Sequence, residues 1–322
     1  MRTLIAVTML ALAAAGAAAP ACADNFPSRT ITLIVPFPPG GSTDVAGRIL
    51  AQRMGEALGQ TVIVENIGGA GGSIAVGRLA RAAPDGYTID IGQWDTHVGT
   101  IIYNPSFDLQ KDFAPIGLAS LNPMLLVAKK TLPADNLKSL AAWMKAHPGD
   151  AKFVNQNASA EVGGILLQKL TGTKVLFVPY RGAGPAMTDL ISGQVDLLLV
   201  QGAVALPQVR AGTIKALAEL SPKRSPSMPE IPSAGESGVP GLYIAGWFGL
   251  FGPKGTPPDV IAKLNAAMVT ALADAKVRGR FADLGLDIAS REQQTPQGLA
   301  AFNKAEIDKW WPIIKAAGIR GQ

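Results

Sequence analysis

The sequence predicts an α/β protein of two domains. Charged residues make up 16% of the chain and apolar residues 48%, a composition that fits buried sheets covered by helices. About 300 residues follow the predicted export signal, more than one hydrophobic core usually holds. Short β-rich runs alternate with helical patterns in two successive series, and the chain passes between them twice. Together these observations predict two βα-wound sheets joined by two crossover strands, with a ligand cleft between them.

An export signal is predicted at the start of the chain. Arg2 precedes a run of apolar residues, and small residues at Ala21 and Ala23 predict cleavage after Ala23. A lipoprotein signal ending at Cys22 is disfavoured, because Ala19 stands where a larger aliphatic residue is preferred. Since Cys22 is the one cysteine of the chain, the predicted mature protein has no thiol. That excludes disulfides, cysteine nucleophiles and thiolate metal sites.

The first βα unit predicts a corner that accepts anions. Ile31 to Val35 is a short apolar run typical of a buried parallel strand, and Pro36 ends it. Gly40 and Gly41 then allow close approach of the backbone, before a helix that runs to Leu58. The free N–H groups at the start of such a helix attract negative charge. The alternative is an ordinary turn whose glycines only help packing.

The same design recurs directly afterwards. A second β-rich run, Thr61 to Glu65, leads into the glycine-rich turn 66–73 and another helical pattern. A third run, Tyr87 to Ile91, delivers the segment 93–97 to the same predicted sheet edge, where open α/β sheets bind ligands. The turn is not a dinucleotide fingerprint, because Ile74 stands where that motif requires glycine.

The second series begins after a strand predicted over Pro123 to Ala128. An apolar run over Leu242 to Phe251 carries the chain back, and two helices end it. The first of these helices, Pro258 to Leu284, is predicted to be broken or bent near Arg278 and Gly279. The resulting division is residues 1–23 as signal, 24–124 with 246–322 as the first domain, and 125–245 as the second.

Residues for catalysis or metal binding are scarce. The chain has two histidines and lacks the zinc-protease, calcium-loop and nucleophile-elbow motifs, so neither catalysis, a cofactor nor a metal is predicted. An exported enzyme using Asp95, His97 and Glu161 stays open as an alternative, although His97 serves equally well as a helix cap. The formal net charge of +5 is dispersed along the chain, which argues against a nucleic-acid partner.

Three aromatic or basic positions are candidates for ligand contact. Arg181, beside Gly182 at a predicted strand end, has the geometry to fork onto a carboxylate, or else forms a structural ion pair across its loop. Trp94 and Trp247 are either platforms for an apolar ligand body or core residues.

The order of motifs resembles the periplasmic solute-binding proteins of tripartite tricarboxylate transporters, the Bug or TctC family. The resemblance covers nearly the whole predicted mature chain, and its motifs are weak singly but specific as an ordered set. They are Pro36–Asp44, Val64–Asn66, Gly69–Gly72, Pro84–Thr88, Asp112–Pro115, Val178–Gly182, Gly193–Asp196, Pro229–Pro232, Glu236–Gly238 and Trp247–Leu250.

The resemblance implies a two-domain Venus flytrap without catalytic activity, which grips a carboxylate and passes it to the membrane components of a tripartite transporter. It also implies a periplasmic location, and we expect a monomer. The ligand-binding residues predicted on this basis are Phe37, Pro39, Gly40, Gly41, Ser42, Asp44, Ala70, Gly71, Gly72, Ser73, Trp94, Asp95, Thr96, Asn155, Asn157, Ser159, Glu161, Tyr180, Arg181, Gly182 and Gln201.

One position departs from the family pattern. Glu161 falls about where family members carry a histidine, and Asp95 adds a second acid near the predicted cleft. If both carboxylates face the cleft, ligands with hydrogen-bond donors, such as amino acids, amides or hydroxy acids, are favoured over a plain tricarboxylate. The alternative is that Glu161 points outward from the first turn of its helix. A receptor that signals to a sensor kinase is the remaining alternative function.

Overall fold

The computed structural model describes residues 26–320. The predicted export signal, residues 1–23, lies outside the described residues. Helices cover a mixed sheet, which confirms the predicted α/β class. No helix within residues 26–320 is both long enough and apolar enough to span a membrane.

The elements of the first half of the chain are, in order, β1 (Ile31–Val35), α1 (Ser42–Leu58), β2 (Val62–Asn66), α2 (Ser73–Ala80), β3 (Thr88–Gly92), α3 (Trp94–His97), β4 (Phe113–Lys129), α4 (Leu137–Ala146), β5 (Lys152–Asn155) and α5 (Ala158–Thr171). They are followed by β6 (Leu176–Pro179), α6 (Ala183–Ser192), β7 (Leu197–Gln201), α7 (Gly202–Arg210), β8 (Ile214–Glu219), β9 (Ala245–Pro253), α8 (Pro258–Ala273), α9 (Ala275–Asp283), β10 (Asp287–Ile288) and α10 (Pro296–Ala316).

The strands lie in the order β2-β1-β3-β9-β4-β7-β5-β6, and β8 and β10 also pair with β4. Strands β1, β2 and β3 are parallel, as are β5, β6 and β7, whereas β9 is antiparallel to both β3 and β4. Parallel βα units place the turns after their strands at one edge of the sheet, so the turns predicted to bind ligand share an edge in each half.

Strand β4 belongs to both halves of the molecule. Its residues Phe113 to Pro123 pair with β9, and its pairing with β7 begins at Met124. The strand predicted over Pro123 to Ala128 is therefore the second part of a longer one. The domain boundaries proposed from the sequence stay a prediction, and this change of partner lies one residue from the predicted boundary at 124.

The helix predicted over Pro258 to Leu284 is broken, but the break lies at Asp274 rather than near Arg278. The Asp274 carboxylate accepts hydrogen bonds from the backbone N–H groups of Lys276 and Val277. An aspartate in extended backbone conformation with these bonds is a helix N-cap, so α8 stops at Ala273 and α9 starts at Ala275.

Candidate functional site

A cavity of about 270 Å³ lies where the turns after β1, β3, β5, β6 and β7 converge. Nine of the predicted ligand-binding residues line it: Phe37, Pro39, Gly40, Gly41, Ser42, Asn157, Arg181, Gly182 and Gln201. It is also lined by residues that the sequence did not single out: Pro38, Thr43, Gln93, Met124, Gln156, Ala183, Gly184, Pro185, Val200 and Val204. The ligand-binding role of all these residues stays a prediction.

The turn between β1 and α1 forms one wall of the cavity. Helix α1 has Gly41 as its N-cap and no side-chain cap, so its first N–H groups stay open toward the cavity. Gly40 has a φ of +89°, a conformation that costs glycine little. A Cβ on Gly40 would meet nothing within 4 Å, so the space in front of this turn is empty of protein.

Asp44 holds the same turn from behind and does not line the cavity. Its carboxylate accepts hydrogen bonds from the Gly40 N–H at 3.0 Å, from Arg48 Nε at 3.0 Å and from Asn66 Nδ2 at 2.9 Å. Burial by itself would raise the pKa of Asp44, but these bonds outweigh burial and hold that pKa below its ordinary value. Asp44 is therefore an ionised support for the backbone of the turn.

The start of α6 forms the opposite wall. Its N-cap is Gly182, with a φ of +124° and no side-chain cap, and a Cβ on Gly182 or Gly184 would meet nothing within 4 Å. Arg181 is exposed beside it. Tyr180 instead donates a hydrogen bond to Asp189 Oδ2 and does not line the cavity. Two uncapped helix N-termini thus face one cavity from opposite sides.

A chain of hydrogen bonds links the start of α1 to the end of β7. Ser42 Oγ donates to Gln201 Oε1 at 2.5 Å, and Gln201 Nε2 donates to Gln93 Oε1 at 2.9 Å. Thr43 Oγ1 also donates to Gln93 Oε1, at 3.3 Å. Gln93 follows β3 directly and N-caps α3 through a reciprocal pair of bonds with Thr96. In the sequence, the one signal for a contact with the cavity was the position of Gln93 at the end of a predicted strand.

The second glycine turn, residues 67–72, does not line the cavity, and neither does Ser73. A Cβ on Gly71 would lie 2.2 Å from the Tyr103 ring, and a Cβ on Gly72 would lie 2.6 Å from Thr96 Cγ2. Protein side chains therefore occupy the space in front of this turn. Ala70 is exposed, with a φ of +44°.

Asp95 binds the start of α5 and does not line the cavity. Its Oδ1 accepts from the Ser159 N–H at 2.7 Å, and its Oδ2 accepts from Asn157 Nδ2 at 3.3 Å. Burial raises the pKa of Asp95 to about 6, although the hydrogen bonds from Ser159 lower it. Glu161 is half-buried in the first turn of α5, and burial raises its pKa as well; neither Glu161, Asn155 nor Ser159 lines the cavity.

Trp94, Trp247 and His97 are core residues. Trp94 makes an edge contact with Trp310 at 5.3 Å, and Trp247 is fully buried. His97 stacks on Phe251 at 4.1 Å, and burial lowers its pKa to about 3. Among the alternatives left open by the sequence, the structure therefore favours the core for both tryptophans and removes His97 from the cavity wall.

The arrangement suits the binding of anions. Among the described residues lining the cavity, Arg181 is the one with an ionisable side chain, and it is cationic. Two helix N-termini add partial positive charge. Within residues 26–320 no group of three or more histidine, cysteine, aspartate or glutamate side chains is arranged to hold a metal ion.

A cavity between two sets of βα turns, bridged by a shared strand, defines the class of two-domain solute-binding proteins. Residues 46–319 match the family described as "Tripartite tricarboxylate transporter family receptor", and the chain belongs to this family. The family is one of periplasmic receptors that work with a tripartite transporter.

A relative in sequence and two solved structures agree with this assignment. Protein BugT of Bordetella pertussis is 36% identical over 325 residues, covering 99% of each chain. The structure of MatC from Rhodopseudomonas palustris, solved with bound malate, is 38% identical, with a TM-score of 0.84 over 90% of this chain and 100% of MatC. The periplasmic binding protein BugD is 37% identical, with a TM-score of 0.85 over 92% of this chain and 100% of BugD.

Proposed function

We propose that this receptor captures a small carboxylate in the cavity between its domains and delivers it to a tripartite transporter. The observation that carries the proposal is the pair of glycine-capped helix N-termini, those of α1 and α6, that face one cavity from opposite sides. Each offers backbone N–H groups and a positive dipole end, which neutralise a carboxylate without a dedicated ion pair. MatC, which was solved with malate, makes malate the first carboxylate to test.

Within this proposal Arg181 supplies the one full positive charge, from the second domain. Ser42, Gln93 and Gln201 supply neutral donors and acceptors that bridge the two domains. A ligand that contacts both walls therefore stabilises the closed arrangement over the open one. The proposed domains are residues 24–124 with 246–322 and residues 125–245, and the change of partner along β4 supports this division.

The chain is further proposed to be a monomer of the periplasm, exported by residues 1–23, and to have no catalytic activity. Family membership supports the location. The absence of Asp95, His97 and Glu161 from the lining of the cavity weighs against an enzyme that uses these residues.

A thermal-shift screen of the mature protein tests the proposal, with mono-, di- and tricarboxylates, amino acids, amides and neutral sugars as separate arms. A ligand at about 100 times its dissociation constant stabilises a protein by about 2.7 kcal/mol, which raises Tm by several degrees for a chain of this size. We expect shifts from carboxylates. Shifts from neutral sugars or amides alone would refute the proposal.

Arg181→Ala then tests the site itself. We expect about tenfold weaker binding of the best carboxylate in calorimetric titration, since a charge-assisted hydrogen bond is lost. The matched control is Arg280→Ala, which removes the same charge from an exposed position on α9. Equal affinities for the two variants would remove Arg181 from the site.

A further inference from the structure

The contact between Asp95 and α5 joins the two domains beside the ligand cavity. Asn157, one partner in this contact, lines the cavity, whereas Asp95 and Ser159 do not. Asp95 belongs to α3, which follows a strand of the first domain, whereas Asn157 and Ser159 begin the first helix after β5 in the second. Asp95 is 2% exposed, so the contact excludes water. Both carboxylate oxygens accept hydrogen bonds from the opposite domain.

Close packing surrounds this contact. A Cβ on Gly99, in the 3-10 turn that follows α3, would lie 2.8 Å from the Ala158 Cβ of α5. The two domains therefore approach as closely here as elements of one core do. Opening the cleft has to break the bonds of Asp95 and separate this packing.

We propose that Asp95 is a closure residue, which stabilises the closed arrangement by bonding to the start of α5 rather than by touching the ligand. This inference rests on the proposed function, because it assigns to Asp95 a part of the binding free energy. Because Asp95 itself does not line the cavity, its loss should weaken binding in the same direction for every carboxylate.

The surroundings of Asp95 make closure depend on pH. Asn157 and Ser159, its hydrogen-bond partners, do not titrate. The titratable neighbours of Asp95 are Tyr103 and Glu161. Burial, followed by the carboxyl groups of Asp95 and Glu161, raises the pKa of Tyr103. His97, on the same short helix, stacks on Phe251 instead. Burial in the closed molecule raises the pKa of Asp95 from its ordinary 3.8 to about 6.

The contribution of Asp95 to closure should grow as the pH falls. A carboxyl whose pKa is higher in the closed state takes up a proton on closing, so its contribution to closure is complete below pH 3.8 and is lost as pH rises through about 6. Between pH 7 and pH 5 the affinity should therefore rise about tenfold through Asp95 alone.

Three variants separate the steps of this inference, with malate as the probe in calorimetric titrations at pH 5, 6 and 7. Asp95→Ala should bind malate about tenfold more weakly than the wild type at pH 5, and its pH profile should contain only the titration of malate. Asp95→Asn retains an acceptor for Ser159 but has no proton to gain. Its pH profile should therefore also contain only the titration of malate. Asp274→Ala is the matched control, because Asp274 also caps a helix but within one domain.

Small-angle X-ray scattering of the ligand-free proteins supplies a readout that needs no ligand. We expect a larger radius of gyration for Asp95→Ala than for the wild type or Asp274→Ala at pH 5. Equal radii, or an unchanged pH profile in Asp95→Ala, would overturn the role of Asp95. If no carboxylate binds the wild type, the proposed function fails, while the scattering comparison still decides whether Asp95 favours closure.

Discussion

The two glycine turns of the first domain share one sequence pattern and have different surroundings. Each follows a parallel strand and precedes a helix, yet the turn after β1 lines the cavity and the turn after β2 does not. Asp44 holds the first turn from behind and leaves its front open, whereas Tyr103 and Thr96 fill the front of the second. A glycine turn thus predicts a helix N-terminus with exposed N–H groups, but what lies before it is set by distant residues.

The largest effect that the comparison predicts comes from filling the blocked turn. Gly71→Ala places a methyl group against the Tyr103 ring at a position whose φ is +60°. Overpacking and the left-handed backbone together should cost about 2–4 kcal/mol of unfolding free energy. Thermal unfolding should show a fall in Tm of roughly 3–6 °C. A Tm equal to that of the wild type would mean that Tyr103 moves aside freely.

A smaller effect is expected from removing the support of the open turn. Asp44→Ala leaves the Gly40 N–H without its acceptor and removes one of the two acceptors of Asn66 Nδ2, which should cost about 1–3 kcal/mol. Affinity for the best carboxylate should fall too, because the turn loses its fixed geometry. Denaturant unfolding and calorimetric titration measure the two effects. Arg48→Ala is the control, since it removes only the exposed partner of Asp44 and should change both quantities less.

The smallest change in stability is expected at Gly41. Its φ of −78° suits any residue, and a Cβ there would come no closer than 3.9 Å to Pro38. Gly41→Ala should therefore alter the unfolding free energy by less than about 0.5 kcal/mol. The added methyl group should nevertheless weaken carboxylate binding, because Gly41 lines the cavity. Wild-type affinity in a normally folded variant would show that the ligand does not approach this part of the turn.

The sequence predicted most of the fold because its signals are local. Apolar runs ended by Pro36 or by glycine predicted the parallel strands, and repetition of the pattern predicted two series of βα units. The end of α8 was missed because the cap is a single side chain, Asp274, inside an otherwise continuous helical pattern. The part of β4 before Pro123 was missed, because its partner β9 comes from a distant part of the chain.

The candidate site was predicted less completely, for the same reason. The turn after β1 and the segment 181–182 line the cavity, because each follows a parallel strand and lies at the carboxyl edge of its own half of the sheet. Nothing near residues 70–73 reports that Tyr103 covers them. Likewise, nothing near Asp95 shows that its carboxylate is bound by Asn157 and Ser159, far along the chain.

The place of β9 in the sheet governs the order in which the protein can fold. Strand β9 lies between β3 and β4, although it is made after the whole of the second domain. The sheet of the first domain therefore lacks its central strand during synthesis until residue 253 is available. Before then, β3 and β4 present unpaired edges, which invite aggregation, and the late long-range pairing slows folding. A fragment that ends before β9 cannot form the first domain.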